Sequence, residues 1–127
     1  MILDTSAVVA IVMKEAGHEE LLRALGGGDA AIGNATLAET AIVLSARLKS
    51  DARPLLARLL SEASIAVVPF GESHYGVAVD TWLRYGKGRH PAALNFGDCL
   101  SYAVARLAGE PLLFVGEDFA RTDVARC

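Results

Sequence analysis

The sequence predicts an α/β/α sandwich with a short, mostly parallel central sheet. Short apolar segments alternate along the chain with longer stretches of helical periodicity, which is typical of an α/β domain. There are no internal repeats and no linker-like tracts, and 127 residues suit a single hydrophobic core. We therefore expect a single domain over residues 1–127.

Each element follows from local pattern and from the residues that end it. The apolar segments 1–3, 30–32, 65–68 and 112–115 predict four strands, the last two closed by Pro69 and Gly116. Apolar side chains at helical spacing predict the helices, and no element is assigned to the last eleven residues. The predicted helices cover residues 6–13, 18–25, 37–48, 52–62, 72–85 and 96–108.

Composition excludes several classes of protein. With 53% hydrophobic residues and 21% charged residues, the chain is neither disordered nor a coiled coil. The apolar run 7–13 is too short to span a bilayer, and two cysteines without ligand spacing favour the reducing cytoplasm. A net charge of −3 argues against a broad basic surface for nucleic acid. Phosphate chemistry would therefore need a metal ion or a local basic patch.

Three acidic residues lie in long segments that carry no other charge. Asp4 is the only charged residue in 1–13, Glu39 in 30–46 and Asp98 in 90–105, counting histidine as neutral. Surface acids usually have Lys or Arg at nearby helical positions, whereas the neighbours of these three should face a core. Some other group must therefore compensate their charge.

The predicted topology brings these acids together. Asp4 ends the first strand, Glu39 and Asp98 open helices, and Asp118 closely follows the fourth strand. Strand ends and helix starts share one edge of a parallel sheet, the edge where such sheets bind ligands. We expect four carboxylates to converge there.

Four converging carboxylates need protonation or a cation to relieve their repulsion. Two unit charges 4 Å apart repel by about 4 kcal/mol at an effective dielectric constant of 20. The available donors are oxygens, including the hydroxyls of Thr5 and Ser6 and the amide of Asn95. Hard oxygen donors favour Mg²⁺ or Mn²⁺, either of which suits the hydrolysis of a phosphodiester.

Local structure offers a simpler explanation for each acid. Thr36 with Glu39, and Asn95 with Asp98, have the spacing of a capping box, so either acid could only satisfy its own helix. The Asp4 segment could be a strand-to-helix turn capped by Thr5 or Ser6, and Asp118 could be a solvated loop acid. These alternatives stay open on the sequence.

One loop concentrates positive charge. Arg84, Lys87 and Arg89 lie around the glycine-rich segment 86–91, just before the helix that carries Asp98. We predict a possible RNA contact here, with an ordinary solvated loop as the alternative.

The motifs themselves resemble those of a known family. Four features are similar to those of PIN-domain ribonucleases, specifically VapC toxins of bacterial VapBC toxin–antitoxin pairs. They are the Asp-Thr-Ser-Ala segment 4–7, Glu39, the Asn-Phe-Gly-Asp-Cys segment 95–99, and the terminal Gly-Glu-Asp-Phe segment 116–119 with Thr-Asp at 122–123. The resemblance covers essentially the whole chain. It implies an Mg²⁺- or Mn²⁺-dependent endoribonuclease that forms homodimers, is neutralised by a VapB antitoxin and leaves 3′-hydroxyl and 5′-phosphate ends.

The resemblance also implies residue roles. Asp4, Glu39, Asp98 and Asp118 would form the acidic site, with Ser6 as a hydroxyl helper and Asn95 as an orienting partner. Our hypothesis is that Asp4 and Asp98 bind the metal directly, and that Glu39 and Asp118 bind directly or through water. Glu117 competes with Asp118 for the fourth role, and Phe119 favours Asp118.

Two other classes remain as alternatives. An Mg²⁺-dependent phosphatase or phosphotransferase would use Asp4 as a nucleophile, but Ser6 stands where such enzymes usually have a second aspartate. A receiver-like signalling module would need an acceptor aspartate after the third strand, where 68–71 has none.

We also predict where partners bind. The leucine-rich helices 18–25 and 52–62 have more apolar surface than one small core can use, so we expect the dimer and antitoxin surfaces there. The antitoxin would insert a basic side chain toward the acids.

Overall fold

The computed structural model describes all 127 residues and has four parallel strands and six α-helices. The strands are β1 (Ile2–Leu3), β2 (Ala31–Gly33), β3 (Ala66–Val68) and β4 (Leu112–Leu113). The helices are α1 (Thr5–Val12), α2 (His18–Gly26), α3 (Asn34–Leu48), α4 (Arg53–Glu62), α5 (Glu72–Tyr85) and α6 (Phe96–Ala108), and a short 3-10 helix covers Phe119–Arg121. None of the helices combines the length and apolar character needed to cross a membrane.

The sheet has the strand order β3-β2-β1-β4, and every neighbouring pair is parallel. Successive residues of a strand face opposite sides of a sheet. In β1, Ile2 packs into the core formed with α5, α6 and the C-terminal segment, whereas Leu3 packs into the core formed with α1, α2, α3 and α4. Helices therefore cover both faces, and the predicted α/β/α sandwich is confirmed.

The element boundaries agree closely with those predicted, with two informative exceptions. Helix α3 begins at Asn34, three residues earlier than predicted, because Gly33 of β2 is followed directly by helical backbone. Strand β4 ends at Leu113 instead of residue 115. The last residues, left unassigned by the sequence, run beside β4 through a bridge between Leu112 and Arg126.

The C-terminal segment is fixed to the domain by Asp123. Its carboxylate accepts a short hydrogen bond from the Tyr102 hydroxyl and lies 3.3 Å from Arg84 and 3.4 Å from Arg106. These contacts hold the pKa of Asp123 below its usual value, chiefly through the Tyr102 hydrogen bond. The turn with Asp118 is therefore bounded by β4 on one side and by this anchor on the other.

Candidate active site

A cleft of about 270 Å³ opens at the carboxyl edge of the sheet. Three of the predicted acids, Asp4, Glu39 and Asp98, line it, and they come from three separate segments of the chain. The other lining residues are Thr5, Ser6, Val9, Glu15, Val43, Arg47, Asn95 and Val115.

Asp4 is the central acid and is almost fully buried. It is the N-cap of α1, where Oδ2 accepts hydrogen bonds from the Ser6 amide at 3.0 Å and the Ser6 hydroxyl at 2.6 Å. Its Oδ1 accepts from the hydroxyl of Ser101 in α6 at 2.6 Å. The proposed capping of this turn by Thr5 or Ser6 is therefore wrong, because the cap is Asp4 itself.

Ser6 also connects the cleft to the last strand. Its hydroxyl oxygen accepts a hydrogen bond from the backbone amide of Val115 at 3.0 Å, two residues beyond β4. One hydroxyl thus orients Asp4 and holds the start of the loop that carries Asp118.

Glu39 points into the cleft from the first half of α3. The Thr5 hydroxyl donates to Glu39 Oε1 at 2.6 Å and also lies 3.0 Å from the hydroxyl of Thr40. The capping box proposed for Thr36 and Glu39 is wrong, because α3 begins before Thr36 and the buried Thr36 hydroxyl lies 3.3 Å from that of Ser101. The Glu39 carboxylate is therefore free of any capping role.

Glycine at position 97 makes room for this carboxylate. A Cβ atom added to Gly97 would overlap all three terminal atoms of Glu39. The Glu39 carboxylate can therefore keep this position in the cleft only with glycine at residue 97.

Asp98 does form the predicted capping box of α6. The Asp98 amide donates to Asn95 Oδ1 at 2.9 Å, and the Asn95 amide donates to Asp98 Oδ2 at 3.0 Å. This reciprocal pair fixes the direction of Asp98, while its other oxygen has no hydrogen bond within the protein. Asn95 thus positions Asp98 at the cleft.

The acids influence one another electrostatically. Burial, followed by the charges of Asp4, Asp118 and Glu39, raises the pKa of Asp98 to about 6, against the lowering effect of the hydrogen bond from the Asn95 amide. Like charges at short range disfavour ionisation, so these three acids add to the larger effect of burial. Burial, followed by the charge of Asp98, also raises the pKa of Cys99 to about 11, which agrees with its expected place in the core.

Comparison with known proteins shows the same fold and related sequences. The PIN domain family matches residues 1–125. Ribonuclease VapC36 of Mycobacterium tuberculosis is 50% identical over 126 residues, which cover 98% of this chain and 91% of the relative. This chain belongs to the PIN-domain VapC ribonuclease family.

Two solved structures share the PIN fold at low sequence identity. Mycobacterium tuberculosis VapC20, a sarcin–ricin loop cleaving toxin, superposes with a TM-score of 0.79 at 21% identity, covering 99% of this chain and 97% of its own. A toxin–antitoxin complex from Klebsiella pneumoniae gives a TM-score of 0.69 at 21% identity, with coverage of 96% and 92%. At this identity the likeness concerns the fold.

The predicted fourth acid, Asp118, is not among the lining residues of the cleft. It is exposed, but its charge contributes to the raised pKa of Asp98. The charge of Glu117 makes no such contribution. Of the two competing acids, Asp118 is the one whose charge is a cause of the raised pKa of Asp98.

The predicted basic loop does not reach the cleft. Arg84 pairs with Asp123, and Arg89 donates to the carbonyl of Leu83 at 2.9 Å and stacks over Trp82. Neither these arginines nor Lys87 lines the acidic site. Its one basic lining residue is Arg47.

Sequence reasoning missed several polar residues of the site. Ser101 lies three residues after Asp98, and Arg47 lies eight residues after Glu39, so helical spacing places each on the face of its acid. This helical spacing from the predicted acids is the signal by which both residues could have been found.

The acids fit a hard divalent cation, although the coordination shell is not fully assembled. No group of three or more Asp, Glu, His or Cys side chains lies close enough together to hold a metal ion. Mg²⁺, however, keeps several waters and needs only one or two carboxylates. The oxygen-only lining and the mutual repulsion of the acids suit such an ion.

Proposed function

We propose that this chain is an endoribonuclease toxin that needs Mg²⁺ or Mn²⁺ and is neutralised by a VapB-type antitoxin. One observation carries the proposal: three acids from separate segments, Asp4, Glu39 and Asp98, line a single cleft in a chain whose relatives are ribonucleases. Because the proposed substrate is RNA, we expect the protein to act in the cytoplasm.

In this mechanism the four acids have different tasks. Asp4 and Asp98 would hold the metal ion directly, while Glu39 and Asp118 would bind it directly or through water. Such an ion would lower the pKa of the attacking water and neutralise charge on the phosphoryl oxygens. The expected products carry 3′-hydroxyl and 5′-phosphate ends.

The surrounding hydroxyls keep the acids in place without adding positive charge. Ser6 and Ser101 donate to Asp4, and Thr5 donates to Glu39. Each ionised carboxylate oxygen has two lone pairs, so an oxygen that accepts one hydrogen bond can still bind a cation. These side chains therefore orient the acids while leaving their charge for the metal ion.

The decisive experiment combines RNA cleavage with a separate measurement of metal binding. We expect the purified protein to cleave RNA with Mg²⁺ or Mn²⁺ and not with EDTA, and Asp98→Asn and Glu39→Gln to lose at least about 100-fold in rate. Calorimetry should show Mn²⁺ binding that both variants weaken. Asp80→Asn, which removes an exposed acid of α5 outside the cleft, is the matched control. Parental rates in Asp98→Asn would refute the assignment.

A matched pair of variants tests the fourth acid. We expect Asp118→Asn to reduce cleavage about tenfold or more, whereas Glu117→Gln should retain it, because of these two acids Asp118 is the one whose charge raises the pKa of Asp98. The reverse ranking would transfer the role to Glu117.

The charge of the cleft and the family of this chain both support an antitoxin as its partner. A chain of the Klebsiella pneumoniae toxin–antitoxin complex shares this fold. In our proposal a basic antitoxin side chain enters the acidic cleft and excludes the metal ion. Co-purification with the antitoxin should abolish cleavage, and Asp98→Asn should weaken the complex.

We also propose a homodimer, with a different surface from the one expected on sequence. Helices α2 and α4 do expose Leu22 (45%) and Leu55 (41%), but Phe96 at 79% and Ile42 at 71% are far more exposed. Phe96 stands between two apolar hollows of about 310 and 470 Å³. A projecting aromatic ring beside apolar hollows is self-complementary, as a twofold interface requires.

A further inference from the structure

Arg47 is the single basic residue that lines the acidic cleft. It follows Glu39 and Val43 at intervals of four residues, and all three line the cleft from one face of α3. Eight residues of helix place Arg47 about 12 Å along the axis from Glu39. It is thus in the cleft, yet well separated from the carboxylate nearest to it on α3.

The present partner of Arg47 is replaceable. Its Nη1 atom lies 3.5 Å from Oε2 of Glu15, which follows α1 and also lines the cleft. Both side chains are about half exposed, at 50% and 47%. Exposed ion pairs of this kind contribute at most about 1 kcal/mol. A stronger anion could therefore displace Glu15.

We propose that Arg47 binds a phosphate of the RNA backbone next to the one that reacts at the acids, and that Glu15 competes for the same guanidinium group. The planar guanidinium group can donate hydrogen bonds to two phosphate oxygens at once. The carboxylates that line the rest of the cleft have no such donors. A polyanion approaching three acids needs such a contact. The inference rests on the ribonuclease function proposed above and adds a positioning residue to it.

The other arginines considered for RNA are less suited to this task. Arg84 is held by Asp123, and Arg89 is held by a backbone carbonyl and by Trp82, all outside the cleft. An RNA strand with its reactive phosphate at Asp98 would contact the residues that line the cleft. Among those residues Arg47 is the available cation.

The test measures RNA binding apart from cleavage. Fluorescence anisotropy of a labelled single-stranded RNA, with EDTA to prevent cleavage, should give a dissociation constant about tenfold higher for Arg47→Ala than for the parent. The slope of log Kd against log salt should fall by about 0.7, the value for one phosphate contact on a single strand. Steady-state cleavage with Mg²⁺ should show a similar rise in KM with kcat changed less than about twofold.

Two further variants make the result specific. Arg58→Ala removes an exposed arginine of α4 that is paired with Glu62 outside the cleft, so it controls for net charge. Glu15→Gln frees Arg47 and should tighten RNA binding about two- to fivefold, an effect that should vanish in the Arg47→Ala background.

The outcomes separate the two proposals. If the parent binds RNA but Arg47→Ala matches Arg58→Ala in Kd and salt slope, Arg47 has no such role, whatever the function. If Glu15→Gln binds more weakly than the parent, the competition between Glu15 and phosphate is wrong. If the parent neither binds nor cleaves RNA, the ribonuclease proposal itself fails, and the role of Arg47 fails with it.

Discussion

The hydroxyl of Ser101 donates a hydrogen bond of 2.6 Å to Oδ1 of Asp4, a residue 97 positions away in sequence. Ser101 is fully buried and Asp4 is almost so. A buried carboxylate is tolerated only where polar groups replace its water. Here the bond joins α6 to the start of α1 and fixes the central acid of the cleft.

Replacing Ser101 with alanine should therefore destabilise the protein. Ser101→Ala removes one of the three donors to Asp4 and also the partner of the Thr36 hydroxyl. Hydrogen bonds to charged groups contribute about 1.5–3 kcal/mol, so we expect the free energy of unfolding to fall by that amount in urea titrations. Ser61→Ala, at an exposed position of α4, should change it by less than about 0.5 kcal/mol. Equal stability of the two variants would contradict the role of Ser101.

Gly97→Ala should separate activity from stability. The added Cβ atom would overlap the Glu39 carboxylate, and that flexible side chain can move aside at a cost of about 0.5–1.5 kcal/mol for a strained rotamer. We expect a folded protein whose cleavage rate falls at least tenfold because Glu39 is displaced. Gly76→Ala in α5, whose Cβ meets nothing within 4 Å, should instead raise stability by about 0.5–1 kcal/mol and leave cleavage unchanged. Full activity in Gly97→Ala would show that the position of Glu39 is unimportant.

The raised pKa of Asp98 predicts a pH dependence of stability without divalent ions. Its pKa is about 6 in the folded protein, against a usual value of 3.8, so the folded state holds this proton more tightly than the unfolded state. The ionised Asp98 therefore costs stability above pH 6, and the cost disappears as the pH falls toward 4. After allowance for solvent screening of this partly exposed group, we expect about 1–2 kcal/mol.

The matching variant isolates this effect. In EDTA, Asp98→Asn should be more stable than the parent at pH 7 and about equal to it at pH 4, because asparagine keeps an oxygen for the Asn95 amide without the charge. Urea unfolding of both proteins across that range gives the difference directly. A difference that does not change with pH would mean that neither burial nor the charges of the cleft raise the pKa of Asp98.

Part of this site was predictable because its acids obey rules that act locally. Asp4 after the first strand and Asp98 at a helix start follow from apolar pattern and capping spacing, and parallel topology then brings them to one edge. For Asp98 the capping explanation is right, and the carboxylate also lines the cleft, since the bond from Asn95 is what directs it. For Glu39 the capping explanation failed because three additional residues at the start of α3 moved Thr36 into the helix.

The long-range partners could not be predicted from the sequence. The contacts of Ser101 with Asp4 and of Val115 with Ser6 depend on how α6 and β4 pack against β1, and no local pattern encodes that.

The exposure of Phe96 could not be predicted for a similar reason. Leu25 of α2 and Leu56 of α4 are buried in the core and Leu22 and Leu55 are exposed, whereas Phe96 in the first turn of α6 is more exposed than any of them.

The difference in exposure between Phe96 and the leucines of α4 gives a test of the dimer surface. We expect the parent to elute at twice the 13.4 kDa chain mass in light-scattering chromatography, and Phe96→Ser to elute as a monomer. Phe96 is exposed in the single chain, so its loss should not lower the stability of the fold, as near-ultraviolet circular dichroism can check. Leu55→Ser, on the surface expected from sequence, should remain a dimer. A monomeric Leu55→Ser beside a dimeric Phe96→Ser would return the interface to α4, because each serine removes an apolar contact only where two copies meet.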